Sequence, residues 1–134
     1  MSTPETLAPG TLCWFDLTVE DAPRIRDFYK TVVGWTSQEV DMGEYADYSM
    51  LAPGTGAGVA GVCHARGVNA DIPPQWLMYI VVEDVRAAAA RCVELGGKIV
   101  AGPRVMGKSG FCVIQDPAGA TCALFQQTLP EGAF

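Results

Sequence analysis

The chain has 134 residues, of which 49% are hydrophobic and 18% are charged, and this composition predicts one compact globular domain rather than a disordered chain. Its formal net charge of −6 argues against nucleic acid or an anionic membrane as a partner, because their phosphate groups would be repelled. Five cysteines without a CxxC pair indicate buried thiols in a reducing compartment, and the start MSTPETLAPG lacks a signal-peptide pattern. We therefore expect a cytoplasmic location and no membrane association.

Residues 11–64 predict a module with the order β-α-β-β-β. Residues 11–19 alternate as a strand does, and a helix follows that Asp21 caps and Gly34 ends. Three further strands complete the module: 35–42, 45–52 and 58–63.

A second module with the same order occupies residues 76–127, after a linker (65–75) that has no periodicity. Its strand begins at Trp76, and Asp84 caps its helix. The remaining strands are predicted at 98–103, 110–115 and 120–127. The first ten residues and the tail after Gln127 are predicted to be loose arms.

The two modules are related by a constant offset. Val19-Glu20-Asp21 returns 63 residues later as Val82-Glu83-Asp84, and Gly34 returns as Gly97. An offset that does not change indicates the duplication of one supersecondary unit. It also identifies which residues are symmetry mates.

Further segments carry a family resemblance: FYKTVVGW (28–35), the Gly96-Gly97 pair, and QDPAGATCALFQ (115–126). Together with the duplicated Val-Glu-Asp, they make each half resemble the βαβββ module of the vicinal oxygen chelate superfamily, which includes glyoxalase I, extradiol dioxygenases and bleomycin-resistance proteins. The resemblance implies an α+β fold in one domain, with two tandem modules forming a curved mixed sheet around an open cup and helices outside. It also implies a homodimer.

The resemblance further implies where a divalent metal would bind, with one ligand on the first and fourth strands of each module. In this sequence those positions are Trp14, Ala60, Leu77 and Ala123. Indole and alkyl groups do not replace the oxygen and nitrogen donors that such a cation needs. We therefore expect no metal ion and no other cofactor.

Asp16 is the polar side chain of greatest interest, because it shares a strand face with Trp14 and is expected to point into the cup. Its symmetry mate is Tyr79. These two side chains are candidates for acid/base catalysis, with Asp16 as the base and Tyr79 assisting. The alternative is a structural carboxylate, bonded to Tyr79, Thr18 or backbone amides. His64, the only histidine, is interpreted as a solvated loop residue.

Several aromatic side chains are candidates for lining the cup around a flat or apolar ligand, with core packing as the alternative. They are Trp14, Tyr48, Trp76, Phe111 and Phe125. A glycine-rich loop (102–110) is expected either to bring Lys108 to an anion or to form a surface hairpin. Its GxxxxGKS spelling does not indicate a phosphate loop, because a strand follows it rather than a helix.

Three functional classes follow. The favoured one is a metal-free protein that binds an amphipathic or aromatic small molecule in the cup. The second is a metal-independent isomerase, lyase or hydrolase that uses Asp16. The third is a metal-dependent lyase or dioxygenase whose ligands have moved, which would require Asp16, His64 and another carboxylate to converge.

Overall fold

The computed structural model describes residues 6–133 and divides into two compact units. The N-terminal unit comprises residues 14–77, and the C-terminal unit comprises residues 78–133 with an N-terminal arm, residues 6–13. The boundaries fall inside the first and fifth strands rather than in the predicted linker. The arm therefore belongs to the same unit as the second module.

The first module has the predicted order. Its elements are β1 (Leu12–Val19), α1 (Ala22–Val33), β2 (Thr36–Asp41), β3 (Ala46–Leu51) and β4 (Gly58–His64). Its strands lie in the order β2-β3-β4-β1, in which β1 is parallel to β4 and the other neighbours are antiparallel.

Local chemistry explains where α1 begins and ends. The Asp21 carboxylate accepts a hydrogen bond from a backbone amide of the first turn, and Gly34 adopts the left-handed conformation (φ 79°) that ends the helix. Ile25 and Tyr29 pack against the core, whereas Val32 is 61% exposed. The core of the N-terminal unit lies between α1 and the side of the sheet that this helix covers. Its buried members are Ala22, Tyr48, Met50, Ala60 and Val62.

The second module repeats this arrangement. Its elements are β5 (Trp76–Val81), α2 (Val85–Glu94), β6 (Lys98–Met106), β7 (Ser109–Gln115) and β8 (Thr121–Gln126). Its strands lie in the order β5-β8-β7-β6, with β5 parallel to β8. The α+β class and the two tandem βαβββ modules are therefore confirmed.

The helix α2 packs Val85, Ala88 and Ala89 against its sheet. Asp84 caps it by accepting hydrogen bonds from the Arg86 and Ala87 amides, each at 3.0 Å. Val85 and Ala89 are buried, whereas Leu95, at the end of the helix, is 78% exposed. Neither of the two described helices, with twelve and ten residues, is long and apolar enough to cross a membrane.

The glycine-rich loop is much shorter than predicted. The strand β6 continues to Met106, and only Gly107 and Lys108 form the turn to β7. The pairing between β6 and β7 shifts register around Gly102, which has a positive φ of 86°. Gly102 therefore permits the register shift, and β6 continues beyond it.

The described parts of both termini are bound to the C-terminal unit. The Leu129 amide donates to the Lys108 carbonyl at 2.8 Å, and its side chain packs against the α2 core. The Leu7 amide donates to Oε1 of Gln127 at 2.6 Å. The prediction of loose arms is therefore wrong for these residues, because specific hydrogen bonds and the partly buried Leu129 side chain fix them.

Candidate functional site

The side of the N-terminal sheet that α1 leaves uncovered carries two of the four strand carboxylates of that unit, together with a thiol. We call it the carboxylate face. Its members are Trp14, Asp16, Asp47, Ser49, Gly61 and Cys63, and the register places Asp16 opposite Gly61 and Gly61 opposite Ser49. The same register leaves Tyr48, Met50 and Val62 on the helix side, because neighbouring residues of a strand point to opposite faces.

Trp14 and Asp16 form a hydrogen-bonded pair on this face. The indole Nε1–H donates to Oδ1 of Asp16 at 2.6 Å. Both groups lie across β4, where a Cβ added at Gly61 would overlap Asp16 Oδ1, and one at Gly58 would lie 3.7 Å from the Trp14 ring. The predicted sharing of one strand face by Trp14 and Asp16 is confirmed. The absence of a side chain at Gly61 permits the close approach of Asp16.

Asp47 holds the end of β4. Its Oδ1 accepts a hydrogen bond from the backbone N–H of His64 at 2.9 Å and lies 3.1 Å from the ring Nδ1. The side chains of His64 and Asp47 are only 17% and 11% exposed, so the interpretation of His64 as a solvated loop residue is wrong. Burial, followed by the negative charges of Asp16 and Asp47, raises the pKa of the Cys63 thiol well above its ordinary value. This thiol therefore stays protonated at neutral pH.

The structure corrects one of the four predicted metal positions. Ala60 lies in the helix-side core, whereas Gly61 is the residue opposite Asp16, as Ala123 is opposite Tyr79. The cause is a β-bulge: β3 pairs Met50 with Ala60 but Leu51 with Gly58, so one extra residue stands in β4. Because of the extra residue, the equivalent of Ala123 in β4 is Gly61 and not Ala60, which the 63-residue offset would give. Ala60 therefore points to the other face of the sheet.

The residues at the corrected positions do not fit a divalent metal. Trp14, Gly61, Leu77 and Ala123 offer no carboxylate, imidazole or thiolate, and the Trp14 N–H is already donated to Asp16. Within residues 6–133, His, Cys, Asp and Glu side chains form no group of three or more that could hold a metal ion.

The equivalent side of the C-terminal sheet, away from α2, carries aromatic rings and a guanidinium group. We call it the aromatic face, and its members are Tyr79, Arg104, Phe111 and Phe125. The Tyr79 ring lies parallel to that of Phe111 at 6.5 Å and is 6.3 Å from that of Phe125. Arg104 lies over the Phe111 ring, with its Cζ 4.6 Å from the centroid. The register pairs Arg104 with Phe111, and Phe111 with Phe125, so these groups form one row across three strands.

Exposure differs along this row. Tyr79 and Phe111 are buried, whereas Phe125 and Arg104 are half-buried. Burial lowers the pKa of Arg104, although the nearby Tyr79 acts in the opposite direction. The guanidinium is therefore a partly desolvated cation held against an aromatic surface, which is a suitable group for an anionic or carbonyl oxygen.

Comparison with known proteins identifies the family. Residues 11–124 match the model of the Glyoxalase/Bleomycin resistance protein/Dioxygenase superfamily. The chain belongs to this superfamily. Among its relatives, the anthracycline biosynthesis protein DnrV of Streptomyces peucetius is 32% identical over 139 residues, covering 94% of this chain and 50% of DnrV. The putative glyoxylase CFP32 of Mycobacterium bovis is 31% identical over 112 residues, covering 83% of this chain and 42% of CFP32. The chain thus spans about half the length of these relatives.

Solved structures share the fold of this chain. A variant of Streptomyces coelicolor methylmalonyl-CoA epimerase, in complex with 2-nitronate-propionyl-CoA, has a TM-score of 0.54 at 16% identity and covers 89% of this chain and 98% of its own. A superfamily member from Vibrio splendidus has a TM-score of 0.56 at 13% identity, covering 87% and 100%. At these identities the likeness shows the fold alone.

Two rings that were predicted to line a superfamily cup lie instead in the helix-side core of the N-terminal unit. Trp76 donates its Nε1–H to the Tyr29 hydroxyl at 3.1 Å and contacts Trp35 edge to face. Tyr48 is buried in the same core, with the Arg26 guanidinium 4.5 Å above its ring. Their placement as pocket lining is wrong, because the strand phase turns both toward α1.

The other predicted site residues divide between the two units. Phe111, Phe125 and Tyr79 lie together on the aromatic face, and Trp14 and Asp16 lie together on the carboxylate face. Lys108 lies in the turn before β7 and borders a separate cavity. The roles assigned to these residues, including catalysis by Asp16 with Tyr79, stay predictions.

Two residues of these faces were missed from the sequence. Arg104 stands in a Gly-Pro context that was interpreted as a loop. Along β3, Asp47 and Ser49 point to one side of the sheet, and Tyr48 and Met50 point to the other. This alternation was the sequence signal for the position of Asp47.

Proposed function

We propose that this superfamily member binds a small amphipathic molecule with a flat aromatic body on its aromatic face, without a divalent metal ion. The observation that carries the proposal is the row of rings and one guanidinium on a single side of a single sheet. A ligand would meet the two half-buried members of the row, Phe125 and Arg104. The buried Tyr79 ring contacts Phe125, and the buried Phe111 ring supports Arg104.

The chemistry of the row defines the ligand class. A ring that stacks on an aromatic side chain gains roughly 0.5–1.5 kcal/mol beyond the burial of its area. The desolvated Arg104 cation favours an anionic, phenolic or carbonyl oxygen at the edge of that ring. The best match is therefore a planar aromatic compound with oxygen substituents.

The name of one relative supports the same class. DnrV is named for anthracycline biosynthesis, and anthracyclines are fused-ring aromatic compounds with phenolic and carbonyl oxygens. The absence of metal is proposed because an indole, a glycine and two alkyl side chains occupy the positions at which the family resemblance implies metal ligands.

Titration with anthraquinone-2-sulfonate, a planar aromatic anion, tests this proposal. We expect saturable binding, measured by quenching of protein fluorescence, and a rise in melting temperature with ligand concentration. Arg104→Met and Phe125→Ala should each weaken binding about 10-fold or more. Arg66→Met is the matched control, because Arg66 lies over the Tyr45 ring in the N-terminal unit. Unsaturable binding, or equal weakening by the control, would contradict the proposal.

A second candidate is a metal-independent isomerase, lyase or hydrolase. It is favoured by the 2.6 Å bond from Trp14 to Asp16, which orients a carboxylate as acid/base catalysis requires. In this case a compound that binds the protein should be converted, and Asp16→Asn should abolish conversion while leaving the fold intact. Binding without conversion by the wild-type protein would exclude this candidate for that compound. The third class lacks such support, because Asp47 holds the His64 ring and the side chains of residues 6–133 form no group of three or more His, Cys, Asp or Glu that could bind a metal ion.

We also propose that the protein is a cytoplasmic homodimer that does not bind nucleic acid. Exposed apolar side chains on α1, which include Phe28 and Val32, offer a surface for a second copy. The five free cysteines are compatible with a reducing compartment, and the net charge of −6 disfavours nucleic acid. Light scattering on the eluted protein should give twice the chain mass of 14.2 kDa. A monomer mass at all concentrations would exclude the homodimer.

A further inference from the structure

The C-terminal unit contains a cavity of about 630 Å³ at the ends of β5 and β8. Its volume falls within the range of about 300–1,000 Å³ typical of small-molecule sites. The N-terminal arm forms one wall, through Thr6, Leu7 and Pro9. The other walls come from the last residues of the two strands, from the start of the α2 connection and from the turn before β7. None of its members belongs to the aromatic row.

Hydrogen bonds hold these walls in place. The Leu7 amide donates to Oε1 of Gln127 at 2.6 Å, which ties the arm to β8. Gln126 Oε1 accepts from the Val85 amide at 2.9 Å, and its Nε2 donates to the Thr128 carbonyl at 3.1 Å. These bonds occupy Oε1 of both glutamines with wall contacts. The two charged side chains that line the cavity, Glu83 and Lys108, take no part in these bonds.

Two opposite charges border the cavity, the Lys108 ammonium and the Glu83 carboxylate. Among residues 6–133, neither side chain forms an ion pair, with the other or with a third group. The cavity also presents apolar surface from Leu7, Pro9 and Val82. A ligand with a single charge would satisfy one of the two groups and be repelled by the other. A zwitterion with an apolar body complements all three features.

We propose that this cavity binds a small amphipathic zwitterion, namely an α-amino acid with an apolar side chain. Its carboxylate meets Lys108, its ammonium group meets Glu83, and its side chain packs against Leu7, Pro9 and Val82. The charged partners are solvent-exposed, so a dissociation constant of about 1 mM is expected. The site is independent of the aromatic face, and failure of either proposal leaves the other intact.

Titration of the ¹⁵N-labelled full chain with L-leucine tests the proposal by NMR. We expect saturable shifts of the amide signals of Val82, Lys108 and Thr128 at millimolar concentration. Isocaproate lacks the ammonium group and isoamylamine lacks the carboxylate, so each should bind about 10-fold or more weakly. Binding of either analogue as tight as that of L-leucine would overturn the zwitterion, and the absence of saturable shifts up to about 20 mM would overturn the site.

Variants of the two charges complete the test. Lys108→Gln and Glu83→Gln should each weaken L-leucine binding by about 2- to 5-fold, as expected for the loss of an exposed ion pair. Lys98→Gln and Glu94→Gln are the matched controls, because these exposed residues of the same unit lie outside the cavity. Thermal unfolding of all four variants verifies that they fold. Unchanged affinity in Lys108→Gln or Glu83→Gln, or equal loss in the controls, would overturn the proposal.

Discussion

The two modules share one backbone plan but carry opposite chemistry on the sides that their helices leave uncovered. The aromatic face joins Tyr79, Phe111 and Phe125 to a guanidinium cation, whereas the carboxylate face joins Asp16 and Asp47 to a thiol and an indole. Tyr79 and Asp16 are symmetry mates, so the contrast lies at equivalent positions. The repeated order and the repeated Val-Glu-Asp motif fix the module, and the uncovered face is free to differ between the copies. Function therefore has to be inferred from each face and not from the repeat.

Removal of a buried ring should have the largest effect. Phe111→Ala should lower the free energy of unfolding by about 3–5 kcal/mol, because Phe111 is 6% exposed and supports both Tyr79 and Arg104. Urea denaturation measures this change. Phe28→Ala is the control, since Phe28 is 53% exposed and should cost about 1 kcal/mol or less. Equal losses would show that the aromatic face does not stabilise its unit.

A methyl group on the carboxylate face should have the next largest effect. Gly61→Ala would make Cβ overlap Asp16 Oδ1, and we expect a loss of about 1–3 kcal/mol. The double variant Asp16→Ala/Gly61→Ala should lose less than the sum of the two single variants. Gly54→Ala, with no neighbour within 4 Å of the added carbon, is the control and should change stability by about 0.5 kcal/mol or less. Additive losses in the double variant would contradict the close approach.

A comparable or smaller loss of stability is expected when an indole donor is removed. Trp14→Phe deletes the N–H that bonds to a carboxylate, at a cost of about 1.5–3 kcal/mol. Trp76→Phe deletes the N–H that bonds to the neutral Tyr29 hydroxyl, at a cost of about 0.5–1.5 kcal/mol. Urea denaturation of both variants compares the two bonds, and a greater loss in Trp76→Phe would contradict the charge-assisted bond on the carboxylate face. Binding of anthraquinone-2-sulfonate should be unchanged in Trp14→Phe.

The smallest effect at neutral pH should come from Cys63, and it should grow in alkaline solution. The folded-state pKa of this thiol is raised above its unfolded value of about 8.5, so both states hold the proton at pH 7. As the pH rises above about 8.5, the unfolded state loses its proton first, and stability falls by up to about 1.4 kcal/mol per pH unit. Stability measured from pH 7 to 10 should therefore fall less steeply in Cys63→Ala than in the wild type. Cys92→Ala is the control, and identical slopes in Cys63→Ala and the wild type would contradict the burial of Cys63 beside two carboxylates.

The sequence was sufficient for the modules because helix caps and strand alternation are local signals. Asp21 and Asp84 cap helices at the predicted places, and all eight predicted strands are present. The position of Ala60 was not predictable from the repeat, because a bulge in β4 inserts one residue without a sequence signal of its own.

The candidate site was predicted less well than the fold, because aromatic residue type does not determine which face a ring occupies. Tyr48 and Trp76 were grouped with Phe111 and Phe125 by chemistry, although strand phase places them on opposite sides of their sheets. Arg104 lies on the aromatic face because β6 continues past Gly102 and pairs Arg104 with Phe111. The length of that strand depends on pairing with β7, which the sequence of β6 alone does not show. Pairing across strands is a tertiary property that a single sequence does not contain.

The most direct test of metal-free binding on the aromatic face is a calorimetric titration of anthraquinone-2-sulfonate into protein dialysed against a chelator, repeated after addition of Ni²⁺, Zn²⁺, Mn²⁺ or Fe²⁺. We predict the same affinity in every sample, with the same weakening by Arg104→Met. Binding that vanishes in the chelator and returns with one metal would contradict a metal-free site.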